Sequence, residues 1–388
     1  MRVLTRGDRE RAERERLSPD AAFSDASEGR RGGEGAGPRR GGGQCGRGRS
    51  EQRKRGGGGG PPPAAACGAP REGRRGAAAP DPLRTCYQCD RDRILHSKSF
   101  RRLAHKTQVF LAPEGDHYRT RLIHSLEVAQ VARSIARPLG LNEDLTEAIA
   151  LAHDLGHTPF GHVGERALSN AIARYRGVDP TLRLFAHNEQ SARLVDLLER
   201  GGRGLNLSRE VVDGIRCHTG DRRARTLEGR VVSLSDRIAY VCHDIDDAER
   251  AGLLREADLP SGPREVLGGS SSERIETMVH DVVAASAECG DVQMTAPVWD
   301  AMMAMRAFLF ENLYSRGDAK WEEPKAYAML GELFDHFVTH LEEVPDEYRV
   351  HDEDKPEVQV ADFVSGMTDR YAVCLYEDLK IPQSWKRR

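Results

Sequence analysis

The sequence predicts an all-α protein, and three observations support this fold class. Apolar residues recur at helical spacing from about residue 82 onward, as in the segment 211–215. Alternating strand patterns are almost absent, and the short apolar segment 230–235 lies within helical surroundings. Helix starts are visible where Asn142 and Ser208 each precede acidic residues, the order that favours an N-cap.

Residues 1–80 differ in composition from the rest of the chain. They contain glycine and proline runs, many arginines, and only four large apolar residues, Val3, Leu4, Leu17 and Phe23. Such a segment buries too little apolar surface to offset the entropy lost on ordering. We therefore predict a disordered Arg/Gly/Pro-rich tail. A solvated tail, or sequence upstream of the true start codon, is favoured over a nucleic-acid contact.

The remaining residues, 81–388, predict one helical domain. We expect a core at about 100–258 and a C-terminal helical part at about 273–388. A Pro/Gly-rich surface loop at 259–272 would separate them, and the acidic stretch 342–357 would form another exposed connection. No run of eighteen apolar residues occurs and no hydrophobic signal segment is visible. A cytoplasmic protein without a membrane span is the expectation.

Charge and cysteine content narrow the function class. Residues 1–80 hold 18 of the 58 basic and 10 of the 61 acidic residues, a balance of +8, which leaves −11 for the remainder. An acidic body argues against a general nucleic-acid binder, because phosphate contacts need clustered Lys and Arg.

Cys86 and Cys89 form a CxxC without a second pair at zinc-site spacing, so reduced thiols are the expectation.

The strongest local signal is the dipeptide His153-Asp154, which follows an apolar run and would lie at the buried end of a helix. Burying a carboxylate beside an imidazole is costly unless a charge compensates it, and a metal ion supplies that charge. His124 faces inward with an apolar stripe, and Asp236 follows a further apolar run. Each of these two alone would be structural, as a core histidine and a capping aspartate.

Together these four residues, on three predicted helices, resemble the HD superfamily of metal phosphohydrolases. A closer resemblance, to the deoxyguanosine triphosphate triphosphohydrolase-like family, rests on successive blocks from about residue 84 to the C-terminus. The blocks are RDRILHSKSFRRLAHKTQVF, HYRTRLIHSLEVAQVAR, AHDLGHTPFGHVGE, FAHNEQSAR, VVSLSDRIAYVCHDIDDA and DFVSGMTDRYA. This resemblance implies an HD-domain helical bundle with additional C-terminal helices and a divalent metal ion (Mn, Mg, Fe or Zn). It also implies a homo-oligomer, often a hexamer, that cleaves a deoxynucleoside triphosphate to deoxynucleoside and inorganic triphosphate.

The resemblance also implies roles for single residues. The metal ligands would be His124, His153, Asp154 and Asp236. His162 and Glu165 would be the catalytic pair; they stand at i and i+3, so their side chains share a helix face. Glu165 would fix the tautomer of His162, which would protonate the departing 5′-oxygen. A structural surface pair is the alternative. His157 and His187 would contact phosphate or assist as acid or base.

Further residues suit a triphosphate substrate. Guanidinium groups bind phosphate oxygens bidentately, and Arg119, Arg121 and Arg237 flank the predicted ligands. For each arginine the alternative is a salt bridge. The resemblance implies that the sugar contacts are Gln108, Tyr240 and Asp244, and that Tyr371 selects deoxyribose.

Other functions are weighed against this one. No GxxxxGK[ST] sequence occurs, which makes a P-loop NTPase an unfavoured interpretation. The enzymatic alternative is an HD hydrolase of another phosphate ester, such as a nucleoside monophosphate or cyclic nucleotide. The alternative of another class is a non-catalytic protein that senses nucleotides or binds nucleic acid through a vestigial site. No readable motif predicts the base preference.

Overall fold

The all-α prediction is confirmed. The structure, a computed structural model, describes residues 5–23, 81–108, 119–314, 321–351 and 354–382. Within these ranges the chain forms helices and no β-strand, and Thr107 and Thr120 form an isolated antiparallel bridge. No helix in the described ranges is both long and apolar enough to cross a bilayer.

The N-terminal segment is only partly as predicted. Residues 5–23 are folded: helix α1 (Arg6–Arg16) starts with a capping box in which the Thr5 and Asp8 side chains each accept a backbone N–H of the other residue. Beyond it, Leu17, Ala21 and Ala22 are buried in the main hydrophobic core. The prediction of disorder is therefore wrong for residues 5–23. Residues 1–4 and 24–80 lie outside the described residues.

Polar contacts explain why residues 5–23, which have few apolar side chains, pack against the rest of the protein. The buried Glu228 carboxylate accepts the backbone N–H of Ala22 at 2.9 Å and that of Asn142 at 3.0 Å. The Asn142 side-chain amide donates to the Ala22 carbonyl at 3.0 Å, and the Ser18 N–H donates to the Gly140 carbonyl at 2.6 Å. A prediction of disorder from composition considers apolar side chains only. It therefore does not detect a segment that is held by hydrogen bonds to its backbone groups.

In the described part of residues 86–250, nine α-helices form the region of the predicted HD core. They are α2 (Cys86–Leu95), α3 (Lys98–Arg102), α4 (Arg121–Ala136), α5 (Glu143–Ala152), α6 (Gly161–Arg176), α7 (His187–Arg193), α8 (Glu199–Gly202), α9 (Arg209–Cys217) and α10 (Leu227–Arg250). Helices α5 and α9 begin after Asn142 and Ser208, as predicted, and the segment 230–235 lies inside α10. Helix α4 packs against α5 and α10, and α2 packs against α5.

The C-terminal part of the chain is also helical. Its helices are α11 (Ser261–Leu267), α12 (Ser271–Cys289), α13 (Ala296–Leu309), α14 (Glu323–Thr339), α15 (Pro356–Ser365) and α16 (Asp369–Lys380). Helix α11 occupies the segment predicted to be a surface loop, so that prediction is wrong. Leu259 and Leu267 are buried at its two ends. The segment 342–357 was predicted to be an exposed connection, but Val344 and Tyr348 within it are buried.

The described residues form two hydrophobic cores, and each contains residues from both sides of position 258. The first core joins α2, α4, α5, α9 and α10 to buried residues of α11, α12 and α13. The second core joins α6 to α14, α15 and α16. Helix α6 therefore carries its side chains to the boundary between the cores, where α5 ends.

Candidate active site

The His153-Asp154 pair is delivered into the interior by α5. The Asn142 side chain caps this helix by accepting the N–H of Leu145 at 3.1 Å. The helix is apolar along most of its length and ends at Ala152, so the next two residues emerge between the two cores. His153 is fully buried and Asp154 is 4% exposed.

All four predicted metal ligands come together. His124 on α4 places Nε2 at 3.1 Å from Asp236 Oδ1 on α10. His153 Nε2 lies 3.7 Å from the same Asp236 oxygen and 3.5 Å from Asp154 Oδ1. Candidate donor atoms of His124, His153 and Asp236 all lie within 4.8 Å of one another. Asp154 joins His153 and His218 in a neighbouring group of donor atoms, so His153 links the two groups.

The chemistry of these atoms fits a divalent cation. His153 Nδ1 lies 2.6 Å from the Ala150 carbonyl, which can only accept, so Nδ1 carries the proton. Its Nε2 is then a lone-pair atom, and that atom is buried without a hydrogen-bond partner among the described residues. A backbone carbonyl that fixes the tautomer of a ligating histidine is a common feature of metal sites.

The two carboxylates are held in the charged form. Burial alone would raise the pKa of Asp236, but the hydrogen bond with His124 and the nearby imidazoles hold that pKa below its usual range. Burial likewise opposes ionisation of Asp154, and His153, His157 and Arg121 hold its pKa well below the usual range. Both groups can therefore act as anionic ligands at neutral pH.

Arg121 lies beside this cluster. Its Nη1 donates to Asp154 Oδ2 at 2.7 Å, and the residue is 2% exposed. Gly161, at the start of α6, has φ +57°, and a Cβ there would lie 2.8 Å from Arg121 Nη2. The positive φ and the close approach to this guanidinium both favour glycine at this position.

Glu165 on α6 connects two imidazoles. Its Oε2 lies 3.0 Å from His162 Nδ1 and 3.0 Å from His187 Nδ1, and Arg183 donates to its Oε1 at 2.6 Å. Burial opposes the charge on Glu165, but the hydrogen bonds with His162 and His187 hold its pKa well below the usual range. The His162 side chain is 62% exposed, so its remaining nitrogen is open to a ligand.

His157 lies between Asp154 and His187. Its ring stacks on His187 with centroids 4.0 Å apart, and its Nε2 lies 3.6 Å from Asp154 Oδ1. Burial and the charge of Arg121 lower the pKa of His157 well below its ordinary value. The ring is therefore neutral at physiological pH.

Two residues of the site were not predicted. The buried Lys106 donates to the His157 carbonyl and, at 2.8 Å, to the Ser365 carbonyl, and burial lowers its pKa to about 7. His218 follows α9 and places Nε2 at 3.3 Å from His187 Nε2 and 3.9 Å from Asp154 Oδ1. The sequence held one signal for His218, because it continues at i+3 the apolar stripe that includes Ile215.

Two of the three predicted sugar contacts, Tyr240 and Asp244, share one helix face. Tyr240 and Asp244 lie one turn apart on α10, and Asp244 is 1% exposed. Burial, reinforced by Asp247, raises the pKa of Asp244 well above its usual range. Asp244 Oδ2 and Gln108 Oε1 are buried and have no hydrogen-bond partner among the described residues. Both atoms remain available for a substrate hydroxyl.

Arg119 pairs with acidic residues of α4 and α10. It donates to Glu127 at 3.0 Å, to Asp247 at 2.6 Å and to Asp246 at 3.2 Å. Three carboxylates thus occupy this guanidinium, and the salt-bridge alternative describes Arg119.

The side chains of Arg237 and Tyr371 make no hydrogen bond or ion pair with the four predicted ligands in the described residues. Arg237 stands 5.8 Å over the Trp299 ring and lines a separate cavity of about 430 Å³ with Arg222 and Arg230. Tyr371, on α16, is 48% exposed, and its side chain makes no hydrogen bond to a described residue. Arg237 directly follows Asp236 on α10, so its backbone adjoins the cluster although its guanidinium faces Trp299.

Comparison with known proteins agrees with this geometry. Residues 121–241, which contain the four predicted ligands, match the HD domain family, and residues 292–378 match the phosphohydrolase-associated domain family. A deoxyguanosinetriphosphate triphosphohydrolase-like protein of Caldanaerobacter subterraneus subsp. tengcongensis is 51% identical over 304 residues, covering 78% of this chain and 87% of the relative. The chain belongs to this family. Relatives of the same description from Clostridium perfringens (strain 13) and Bordetella pertussis (strain Tohama I) are 46% and 39% identical, covering 80% and 78% of this chain and 91% of each relative.

Membership in this family confirms the resemblance and the general class of reaction that the resemblance implies. The protein is a metal-dependent phosphohydrolase of the HD type. The homo-oligomer and the cytoplasmic location stay predictions.

Proposed function

We propose that the protein hydrolyses a deoxynucleoside triphosphate to a deoxynucleoside and inorganic triphosphate. The observation that carries the proposal is the placement of the Glu165-held imidazoles beside the four-residue cluster. A site that has both a cation-binding cluster and a positioned proton donor suits phosphate-ester hydrolysis with a poor leaving group. The names of the relatives support the triphosphohydrolase reaction in particular.

The cation would be held by His124, His153, Asp154 and Asp236. When bound, a divalent cation there would polarise the α-phosphate and lower the pKa of the attacking water. The protein fixes His153 through the Ala150 carbonyl and keeps Asp154 charged through Arg121. The ligand set is thus oriented before substrate binds.

His162 is proposed as the proton donor. Its Nδ1 is engaged by Glu165, so Nε2 points to the open side of the site. Water adds to the α-phosphorus, the bond from that phosphorus to the 5′-oxygen breaks, and His162 gives a proton to the departing oxygen. The charge of Glu165 stabilises the protonated ring before transfer.

Substrate recognition divides between phosphate and sugar. We propose that Arg121 neutralises charge on the triphosphate, because it is the arginine that reaches the cluster. Arg119 orders the junction of α4 and α10. We propose that Asp244, whose pKa burial raises, hydrogen-bonds a sugar hydroxyl, and that Tyr240 and Gln108 also contact the sugar.

Product analysis tests this function. Purified protein with Mn²⁺ is incubated separately with each of the four deoxynucleoside triphosphates, and products are separated by ion chromatography. We expect inorganic triphosphate and deoxynucleoside in equal amounts. Release of diphosphate or phosphate, or turnover only of nucleoside monophosphates or cyclic nucleotides, would contradict the proposal and favour another HD phosphohydrolase activity.

A further inference from the structure

The turn that leads into α6 has an unusual backbone. Phe160 and Gly161 both lie in the left-handed region, with φ of 59° and 57°. Glycine adopts this conformation readily, whereas a bulky residue such as phenylalanine rarely does. A residue in such a conformation depends on surrounding contacts that hold it there. His162, the proposed proton donor, follows directly, so its place depends on what holds this turn.

A carboxylate from the C-terminal part of the chain holds the turn. Asp369 is the first residue of α16, and its Oδ1 accepts the backbone N–H of Phe160 at 3.1 Å. Its Oδ2 accepts the backbone N–H of Thr107 at 2.8 Å and also the Thr107 hydroxyl. Asp369 therefore ties the turn before α6 to the segment that precedes α4. Because Asp369 is 209 residues away from Phe160, this contact depends on the tertiary fold.

Lys106 makes a second link between the same segments. Its ammonium donates to the His157 carbonyl, ahead of the turn, and at 2.8 Å to the Ser365 carbonyl at the end of α15. Its own carbonyl accepts the N–H of Arg121, the first residue of α4, at 3.2 Å. Lys106 is 3% exposed, so the protein shields these bonds from competing water. The segment before α4, the turn before α6 and the helices α15 and α16 thus meet at one junction.

The junction reaches the proton donor and the proposed metal ligands in different ways. Asp369 bonds to the backbone of the turn, two residues before His162. The four predicted ligands are carried by α4, α10 and the end of α5, and Lys106 holds the start of α4 independently of Asp369. Loss of the Asp369 carboxylate should therefore displace His162 and leave the metal ligands in place.

We propose that Asp369 is a positioning residue for His162: by holding the turn at Phe160, it sets the distance from the imidazole to the departing oxygen. The proposal rests on the proposed function, because it takes His162 as the proton donor. Asp369 lies in the region that matches the phosphohydrolase-associated domain family, so that region would complete the active site of the HD domain. A misplacement of about 1 Å in a reacting group can cost about 10²-fold in rate.

Kinetics of the full-length protein with a deoxynucleoside triphosphate test the proposal. Asp369→Ala should lower kcat about 10–100-fold and change KM less than about threefold, with bound metal unchanged by elemental analysis. Asp369→Asn keeps one oxygen acceptor, so its kcat should lie between those of wild type and Asp369→Ala. Glu377→Ala removes an acidic side chain at an exposed position of the same helix and should keep the wild-type kcat.

A double-mutant cycle separates positioning from a general structural effect. In the His162→Ala background, Asp369→Ala should cause no further loss of kcat, because the group that it positions is gone. Losses that multiply would overturn the positioning role, as would a wild-type kcat in Asp369→Ala. Either result would leave the proposed function standing.

Hydrogen exchange tests the junction without turnover. Peptides spanning residues 158–166 are followed by mass spectrometry in wild type, Asp369→Ala and Glu377→Ala, and circular dichroism checks that each protein is folded. We expect faster exchange in this segment for Asp369→Ala alone, since the Phe160 N–H loses its acceptor. Unchanged exchange there would overturn the proposal. If Asp369→Ala does not fold, the same comparisons apply to Asp369→Asn. A wild-type protein that releases no triphosphate would overturn the proposed function, and faster local exchange would still support the hold of Asp369 on the turn.

Discussion

Replacement of Leu17 by Ala tests whether the N-terminal segment is part of the folded domain. Leu17 follows α1 and is 7% exposed in the first core, next to the contacts that Ala22 makes with Glu228. Truncating a buried leucine costs about 2–5 kcal/mol, and a position at the margin of a core falls at the low end, about 2–3 kcal/mol. For a domain of this size that lowers Tm by about 4–12 °C.

The assay is thermal unfolding followed by circular dichroism, at one protein concentration and with chelator present. Arg11→Ala is the matched control, because its side chain is 67% exposed and pairs only at the surface with Asp8. Its effect should stay within about 0.5 kcal/mol. Equal Tm values for Leu17→Ala and Arg11→Ala would refute the docking of residues 5–23 and restore the prediction of a disordered tail.

Three further predictions concern the site. His153→Ala should abolish turnover and lower bound metal while the protein stays helical. His162→Ala should lower kcat about 10²–10⁴-fold with metal content unchanged, because a positioned general acid is lost. Asp244→Asn should raise the unfolding free energy of the metal-free protein at neutral pH. The pKa of Asp244 is raised in the folded protein, so the stability that the aspartic acid contributes is present below about pH 4. That stability is lost as pH rises toward the folded pKa. The same variant should raise KM.

Each of these predictions can fail in a distinct way. Full metal content in His153→Ala by elemental analysis would remove that residue from the ligand set. Loss of metal from His162→Ala would make it a ligand and not a proton donor. A stability difference between wild type and Asp244→Asn that does not shrink on acidification, in urea unfolding at several pH values, would show that Asp244 is ionised when folded.

Local chemistry explains which features could be predicted from sequence. The Asn142 cap and the apolar face of α5 are encoded within ten residues, so the buried position of His153-Asp154 follows from the sequence. The i,i+3 spacing likewise brings His162 to Glu165. Family resemblance added Asp236, whose partner His124 is 112 residues away.

The features that could not be predicted depend on long-range contacts. The Glu228 carboxylate that anchors Ala22 is 206 residues away, so composition gave the wrong answer for residues 5–23. Pro263 misled the prediction for 259–272, because proline is tolerated in the first turn of a helix such as α11. From the sequence alone, Arg119 could bind either a phosphate or a carboxylate. The structure shows three acidic side chains at its guanidinium.

The most direct test of the central claim is hydrolysis of a deoxynucleoside triphosphate in water enriched in heavy oxygen. In the proposed reaction water attacks the α-phosphorus and the bond from that phosphorus to the 5′-oxygen breaks, and His124, His153, Asp154 and Asp236 would hold the metal. Mass spectrometry should therefore find one heavy oxygen in each inorganic triphosphate and none in the deoxynucleoside. Heavy oxygen in the deoxynucleoside, or products other than triphosphate, would contradict it.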